Sequence, residues 1–380
     1  MISLPFVENS APDGVRRPVV EIVGGSGNGG LGESAAARLL GGGGDFWTEH
    51  YVAIALDLGP APFVDSLRIS YTNGAVGTDV ALGDSLSLSL GYADSETLAV
   101  FSGQVTIARH SLTGQNYLHS SSGSFALSHL RLNQSYEQQN AGDIVIDLAK
   151  QVGVKADVIE SGIALPFYRL AGQTSAYYHI AQLARRSGYW AYCNPKGELI
   201  FAPVKPGQSV QTFTYGVDIL SLEVEAIAPN IETVIVTGEG AAGSQGQAAG
   251  NWLVADPSGV QAQAGGGSGG LGLGSVSKTR YISDGALRSQ EAVKSAATSR
   301  IAAASTPLAG ELWVPGAPAV TVGSTLTLAD IPEDFLNGDF IVKRVCHRMS
   351  KAQGFTTRLS ILQLGEASLL PGLASLGGLL

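Results

Sequence analysis

The sequence predicts a β-rich α+β protein with two related antiparallel β-barrels plus an α/β module, the second barrel being split in sequence. Segments that alternate apolar and polar residues recur along most of the chain, as half-buried strands do. Two of them occur twice in the same order: GDSLSL at residues 83–88 is echoed by GSTLTL at 323–328, and GQVTIAR at 103–109 by GDFIVKR at 338–344. A repeated strand–loop–strand unit indicates two related β-domains, although short strand-like segments also match by chance.

The first 133 residues are predicted to form a glycine-rich N-terminal arm and then the first β-barrel. The arm covers residues 1–45 and contains one strand-like segment, at 18–23. Its glycine run at 24–30 lacks the Gly-Lys-Ser/Thr ending of a phosphate loop, so a flexible arm is favoured. The barrel covers residues 46–133. Its strand-like segments lie at 52–58, 67–71, 86–90, 98–107 and 124–132.

Helical periodicity replaces the strand pattern in a predicted α/β module over residues 134–204. Asn140 has the character of a helix N-cap with an acid, Asp143, three residues on, and Gly153 ends the apolar stripe that follows. A second helix is predicted from Thr174 to Gly188. A hairpin comes next, with strands at 189–193 and 198–202 around an Asn-Pro-Lys-Gly turn.

The second barrel is predicted to come in two pieces, residues 205–240 and 305–365. A Gly/Ala/Ser/Gln-rich loop covers 241–275, and residues 276–304, with a helix at 287–304, continue the α/β module. The C-terminal tail, 366–380, is apolar but is interrupted by Pro371 and several glycines. We expect the tail either to lie against a partner or to fray.

Charge is sparse and unevenly distributed. Lys and Arg number 23 against 32 Asp and Glu, a net charge of −9, which argues against nucleic-acid binding. Residues 206–276 contain acids but no Lys or Arg, whereas residues 341–363 contain five basic residues and no acid. Such patches are either ordinary solvated faces or complementary surfaces that guide self-assembly. The low charge content, 14 %, favours surfaces that become covered by other subunits.

No catalytic, cofactor or metal site is predicted. The two cysteines, Cys193 and Cys346, lack metal-ligand spacing and are expected to be buried free thiols, and the six histidines lack ligand spacing. Acids such as Asp57, Asp65, Glu223 and Glu225 could pair as in glycoside hydrolases, but surface acids are the favoured interpretation. No signal peptide or membrane-spanning run is visible. We therefore expect a protein that is not an enzyme.

One stretch is specific enough to suggest a family. Residues 165–189, LPFYRLAGQTSAYYHIAQLARRSGY, and the hairpin after them resemble the late control protein D family, which comprises baseplate hubs of contractile-tailed phages. The hub parts of type VI secretion spikes and of extracellular contractile injection systems are equally similar. The matching residues are Tyr168, Arg169, Gln173, Ser175, Leu183, Ala184, Arg185, Gly188 and Tyr189. The resemblance extends over about residues 46–365 and fails in the arm, the 241–275 loop and the tail.

The resemblance implies a trimeric hub whose six barrels form a pseudo-sixfold ring, adapting a sixfold tail tube to a threefold spike. The implied partners are two further copies, the central spike, the tail tube, the tape-measure protein or cargo, and the baseplate wedges. Nucleic acid and stable membrane insertion are not implied. The protein would lie in the baseplate of a virion or tail-like particle assembled in the bacterial cytoplasm. Alternatives are the tail-tip hub of a noncontractile phage, a glycan or peptidoglycan hydrolase, and a glycan-binding β-domain.

Four basic residues are the candidate interface positions. Arg109 and Arg344 end the two echoed segments at equivalent places, so we expect them to make equivalent contacts in a ring. Arg348 and Lys351 follow in the same basic stretch and are candidates for subunit or partner contacts. The alternative is that these are ordinary basic residues at strand ends.

Overall fold

The computed structural model describes residues 17–25, 50–72, 80–226, 231–238, 260–265, 278–304 and 308–363. The first six strands form one unit. They are β1 (Pro18–Gly25), β2 (Tyr51–Leu58), β3 (Ser66–Tyr71), β4 (Ser85–Tyr92), β5 (Leu98–Arg109) and β6 (Asn116–Ser121). In β4 the leucines at 86, 88 and 90 are buried while Ser85, Ser87 and Ser89 are more exposed, as the alternating pattern predicts. Most of the predicted arm lies outside the described residues, but β1 pairs along β4.

The α/β module follows. Its elements are α1 (Gly123–His129), β7 (Gln134–Asn140), α2 (Ala141–Gln151), β8 (Ala156–Ile159), β9 (Ala164–Leu170), α3 (Ala176–Ser187), β10 (Tyr189–Cys193) and β11 (Leu199–Pro203). The predicted start of α2 and the predicted end of α3 are confirmed, whereas α3 begins at Ala176, two residues after the expected Thr174. Asp143 accepts the Asn140 N–H at the start of α2, and α3 ends at Gly188 with φ +75°. The predicted hairpin is present as β10 and β11.

The strand expected at 124–132 is wrong, because this segment forms helix α1. The Ser122 hydroxyl accepts the Ser124 N–H and so caps the helix. Leu127 is buried in the module core beneath it. In so short a segment, apolar residues two or three positions apart satisfy a strand pattern as well as a helical one, so the cap was the more informative signal.

The remaining elements alternate between the second β-unit and the module. They are β12 (Ser209–Thr214), β13 (Ser221–Ala226), β14 (Thr233–Thr237), β15 (Gln261–Gly265), β16 (Thr279–Ser283), α4 (Gln290–Ala304), β17 (Leu308–Pro315), β18 (Thr325–Ala329), β19 (Gly338–Ser350) and β20 (Gly354–Leu362). Strand β14 was expected in the second barrel, but it pairs with β15 and β16 and packs with α4. Residues 241–259, 266–277 and the 366–380 tail lie outside the described residues.

The two β-units have the same strand order, which confirms the predicted repeat. The first runs β1-β4-β5-β6-β3-β2 and the second β12-β18-β19-β20-β17-β13, and both belong to one twelve-stranded sheet. Strands β14–β16 and helix α4 are inserted between β13 and β17, the connection that corresponds to the short β2–β3 loop. One pairing differs, because β12 runs parallel to β18 whereas β1 is antiparallel to β4.

Two hydrophobic cores lie side by side. One cluster takes in the inward-facing residues of both β-units and so binds them into one body. The other is formed by α1–α4 with the module strands, and Tyr177, Phe201 and Val293 are fully buried in it. No helix in the described ranges is long and apolar enough to cross a membrane.

Candidate assembly surface

The two β-units are joined edge to edge by β2 and β19. These strands are antiparallel, with Leu58 opposite Val345 and Ala53 opposite Ser350 at the two ends of the register. Only the C-terminal half of β19 contacts β2, because the N-terminal half of the same edge pairs with β18. The junction is therefore ordinary β-sheet hydrogen bonding between two repeated units, an association that identical units on different chains can also make.

Side chains reinforce this junction. Arg348 Nη2 donates to both carboxylate oxygens of Asp57, at 2.7 and 2.9 Å, and Nη1 donates to the Leu56 carbonyl at 3.1 Å. The Tyr92 hydroxyl of the first unit also donates to the Gly316 carbonyl of the second, at 3.0 Å. Charge-assisted hydrogen bonds of this kind are stronger than hydrogen bonds between neutral groups.

We expect Asp57→Ala and Arg348→Ala to interact energetically. Because the two side chains are 27 % and 44 % exposed, the coupling free energy in a double-mutant cycle should be about 0.5–1 kcal/mol. Urea unfolding of the wild type, both single variants and the double variant measures it. Strictly additive losses would show that the ion pair does not hold the two units together.

Hydrogen bonds give the residue-by-residue equivalence of the two units. The Gly83 N–H donates to the Val105 carbonyl and the Gly323 N–H to the Val342 carbonyl, at 2.9 and 2.8 Å. Gly83 and Gly323 both have a positive φ, +89° and +83°. A β-bulge follows at the same place in both units, at Val105 opposite β6 and at Val342 opposite β20. Val105 is therefore the counterpart of Val342.

This equivalence corrects the expected match between Arg109 and Arg344, which is wrong by two residues. Counting from Val105 and Val342, Arg109 corresponds to Cys346 and Arg344 to Ile107. The echo misled because Gly103 lies inside β5, opposite Leu86, whereas Gly338 begins β19. A shift of two residues leaves every side chain on the same face, so alternation alone cannot detect it.

The four candidate basic residues lie in different environments. Arg344 stacks over Phe63, with its guanidinium carbon 4.1 Å from the ring centroid, and its buried Nε finds no hydrogen-bond partner within the described ranges. Arg348 is held by Asp57 inside the junction. Lys351 lies over Tyr51, with Nζ 5.2 Å from the centroid. Arg109 is exposed at the end of β5, beside Tyr117. Of the two arginines expected to be equivalent, Arg109 is the one on a strand edge that no described strand covers.

The acids considered as a hydrolytic pair are likewise in separate environments. Asp57 is bound by Arg348, and Glu223 and Glu225 are exposed on β13. Asp65 is 1 % exposed, in the β2–β3 loop. The four carboxylates therefore lie in three different environments: an ion pair, an exposed strand and a buried loop. Within the described ranges, no group of three or more His, Cys, Asp or Glu residues lies close enough to hold a metal ion.

Asp65 is the centre of a buried polar cluster. Its carboxylate accepts the Gly59 N–H at 3.1 Å and the Ser122 hydroxyl at 2.9 Å, and its own N–H donates to the Ser124 hydroxyl. Burial raises the pKa of Asp65 to about 7, against the opposing effect of these hydrogen bonds. The cluster ties the β2–β3 loop to the cap of α1 and so fixes the first β-unit on the module.

Burial also raises the pKa of the neighbouring Cys193 thiol to about 12, with a further contribution from the Asp65 charge. A thiol in this state is a poor nucleophile at neutral pH, because the thiolate is the reactive form. We therefore assign the cluster a structural role, the attachment of the β2–β3 loop to α1, and not a reactive one. Both cysteines are buried free thiols, as the sequence predicts.

The residues that carry the family resemblance serve the fold of the module. The Ser175 hydroxyl accepts the Tyr178 N–H as the N-cap of α3, and Gly188 ends the helix. The Tyr168 hydroxyl is 2.9 Å from His179 Nδ1. The sequence did not predict the largely buried ion pair of Arg186 with Asp284, 2.7 Å, which joins α3 to the segment before α4. The two residues are 98 positions apart in the sequence, so no local pattern connects them. The adjacent arginines Arg185 and Arg186 in the motif were the one sequence signal for this ion pair.

Solved structures with a similar fold include two tail proteins and a type VI secretion component. The 43 kDa tail protein of prophage MuSo2 from Shewanella oneidensis has 12 % identity and a TM-score of 0.63, over 91 % of this chain and 98 % of that one. A tail protein from Neisseria meningitidis has 14 % identity and a TM-score of 0.62, over 83 % and 92 %. The E. coli c3393 protein, described as a component of the type VI secretion system, has 11 % identity and a TM-score of 0.53, over 85 % and 76 %. This chain shares their fold.

Sequence comparison adds a family. No curated protein sequence matches the chain. A family model described as the Alg8 N-terminal domain matches residues 77–351, which begin before β4 and end just after β19. The match takes in both echoed segments and the whole α/β module, and it covers more than half of the chain. The chain therefore belongs to the Alg8 N-terminal domain family.

Proposed function

We propose that this protein is the structural baseplate hub of a contractile tail or injection machine. Three copies form a ring of six β-units that adapts a sixfold tail tube to a threefold spike. The observation that carries the proposal is the repeated strand order of the two units and their edge-to-edge junction through β2 and β19. A chain with two equivalent units presents nearly sixfold contacts from a threefold ring.

The shared fold supports this role. Two of the similar solved proteins are described as tail proteins and a third as a type VI secretion component. The description of the third protein compares it with the T4 tail proteins gp27 and gp5. The place of this protein is accordingly the baseplate of a virion or tail-like particle. Its partners are the central spike, the tube, the tape-measure protein or cargo, and the wedges. The description of the family model names a domain and no reaction.

The mechanism is mechanical rather than chemical. The acids that could have formed a hydrolytic pair are engaged in structure or exposed on β13, and the buried Asp65 holds the β2–β3 loop against the cap of α1. The hub instead transmits force between neighbours, for which a continuous sheet and a core shared by both units are suited. Its two faces would hold the tube and the spike until contraction.

Cryo-electron microscopy of the assembled particle tests the proposal. We expect three copies of this chain in one ring, with six similar β-units, between the sixfold tube and the spike. The mass of the purified chain by analytical ultracentrifugation should be that of a trimer. A monomer at every concentration reached, or a ring without the six units, would contradict the proposed function.

A further inference from the structure

Strand β13 is the counterpart of β2, the strand that joins the two units. The pairings with β3 and β17 match residue for residue: Ala53 corresponds to Ser221, Asp57 to Glu225 and Leu58 to Ala226. Strand β2 uses its second edge to pair with β19. Strand β13 ends the path of the twelve-stranded sheet, and within the described ranges its second edge has no strand partner.

The counterpart of the β19 edge likewise has no second strand partner in the part of the chain that the structure describes. The C-terminal half of β19 pairs with β20 on one side and with β2 on the other. In β5, the strand β4 covers the edge only as far as Gln104, so Ile107, Ala108 and Arg109 pair with β6 alone among the described strands. Among the described strands, one chain therefore makes one junction and leaves both halves of a second, equivalent junction without a strand partner.

We propose that β13 of one copy pairs antiparallel with the end of β5 in a second copy, forming the subunit interface of the ring. This inference rests on the proposed function, which sets the number of copies at three. It adds which strands form the interface and which residues lie opposite each other. The β2–β19 register transfers directly: Leu58 opposite Val345 becomes Ala226 opposite Ala108, and Asp57 opposite Cys346 becomes Glu225 opposite Arg109.

Charge at the two edges fits this register. Glu225 and Arg109 are both exposed, and the pairing places them directly across from each other, where opposite charges stabilise an antiparallel pair. Glu223 is exposed on the same face of β13. The β13 edge lies in the stretch that has no Lys or Arg, so an acidic edge meets a basic strand end. A second copy of this chain is therefore the occupant that both edges favour.

Apolar exposure points to the same surface. Leu112 lies three residues after Arg109, as Met349 lies three residues after Cys346, so Met349 is the counterpart of Leu112. Leu112 is 96 % exposed, whereas Met349 is 2 % exposed. In the existing junction Met349 lies opposite Ile54, whose counterpart in β13 is Leu222. A neighbouring β13 would bring Leu222 toward Leu112. Covering such a side chain removes apolar surface from water and so favours the contact.

The arrangement is head-to-tail, since each copy offers β13 at one end and β5 at the other. Such heterologous contacts close into a ring when the rotation between successive units divides a full turn. Junctions within and between chains then alternate around the ring and have the same register. The assembly needs no new kind of contact beyond the one already present in each chain.

Charge exchange tests the pairing. We expect Arg109→Glu and Glu225→Arg each to weaken assembly about tenfold or more, because each places like charges opposite each other, and the double variant to recover it. The mass distribution over a dilution series by analytical ultracentrifugation measures this. Lys196→Glu is the matched control, because Lys196 is an exposed base in the β10–β11 turn, and it should assemble like the wild type.

Cysteine cross-linking provides a second readout that does not depend on affinity. A chain carrying Ala108→Cys and Ala226→Cys should give covalent dimers and trimers on a denaturing gel after mild oxidation. The single variants should not, because the native cysteines are buried. Trimers that persist in every charge variant without cross-links would overturn this interface while leaving the hub proposal standing. Cross-linking of position 226 to a different protein in particles would also overturn it, and a monomeric wild type would overturn both.

Discussion

Replacing Asp65 with Asn should make the protein more stable above neutral pH, by up to about 4 kcal/mol relative to its effect in acid. The wild-type carboxyl is buried, and its pKa is raised from 3.8 to about 7. Between these values the folded state holds a proton that the unfolded state has lost. The free energy of unfolding therefore falls as the pH rises through this window, and above it the contribution of protonation is gone. The asparagine side chain does not titrate, so the variant does not lose this stability as the pH rises.

The hydrogen bonds of the site allow this substitution. The amide oxygen of Asn can still accept the Gly59 N–H, and the Ser122 hydroxyl can turn to accept from the new amide group. Below about pH 3 the two proteins should be nearly equal, because the wild-type carboxyl is then largely neutral in both the folded and the unfolded state. The advantage of the variant should appear as the pH rises through the window.

Urea unfolding at about pH 4.5 and about pH 8, at a fixed protein concentration, measures the difference. Asp334→Asn is the control, because it makes the same change of atoms at an exposed position and should shift stability equally at both pH values. A pH-independent difference between the Asp65→Asn variant and the wild type would show that the carboxyl is ionised in the folded protein at both values.

His347 has the opposite dependence, so the wild type conceals part of the effect. It is fully buried, and its pKa is lowered from 6.5 to about 3 by burial and by the nearby Arg348 charge. The unfolded state therefore binds a proton first as the pH falls below 6.5, and stability is lost down to about pH 3. As the pH falls through this range, protonation of Asp65 stabilises the folded wild type while protonation of His347 in the unfolded state destabilises it, so the two effects partly cancel. The Asp65→Asn variant should expose the His347 loss alone.

Local signals made the α/β module largely predictable from sequence. Helix α2 begins at Asn140 with Asp143, helix α3 follows Ser175, and Gly188 ends it, so each boundary is set by residues within one turn. The hairpin of β10 and β11 depends on a turn of four residues. The assignment of β14 failed because its partners, β15 and β16, come later in the chain, and alternation in Thr233–Thr237 does not identify them.

The candidate surface was predictable in part, and for a reason that proved incorrect. Arg109 was chosen as the counterpart of Arg344, but the bulges at Val105 and Val342 make it the counterpart of Cys346. Glu225 stood out only as a member of an acidic stretch. Its relation to Arg109 follows from the pairing of β2 with β19, a contact between residues almost 300 positions apart. Such a register depends on tertiary structure, which a repeated motif indicates without specifying.

Replacing Gly316 with Ala should destabilise the protein by about 3 kcal/mol, because it acts where the two β-units meet. Gly316 is buried just after β17, and a Cβ atom there would overlap the ring of Phe355. That ring cannot move freely, since it packs against Tyr92 and His347, with centroids 5.8 and 5.7 Å away. Displacing it would also disturb the hydrogen bond from the Tyr92 hydroxyl to the Gly316 carbonyl.

The denaturation midpoint and slope of Gly316→Ala in urea measure the loss. Gly207→Ala is the matched control, because nothing lies within 4 Å of a Cβ atom at that position, and it should be neutral or slightly stabilising. Equal stabilities for the two variants would mean that Phe355 can be displaced at little cost. The two units would then be held mainly by the β2–β19 pairing, and the same edge contact between chains would have to hold the ring without help from side-chain packing.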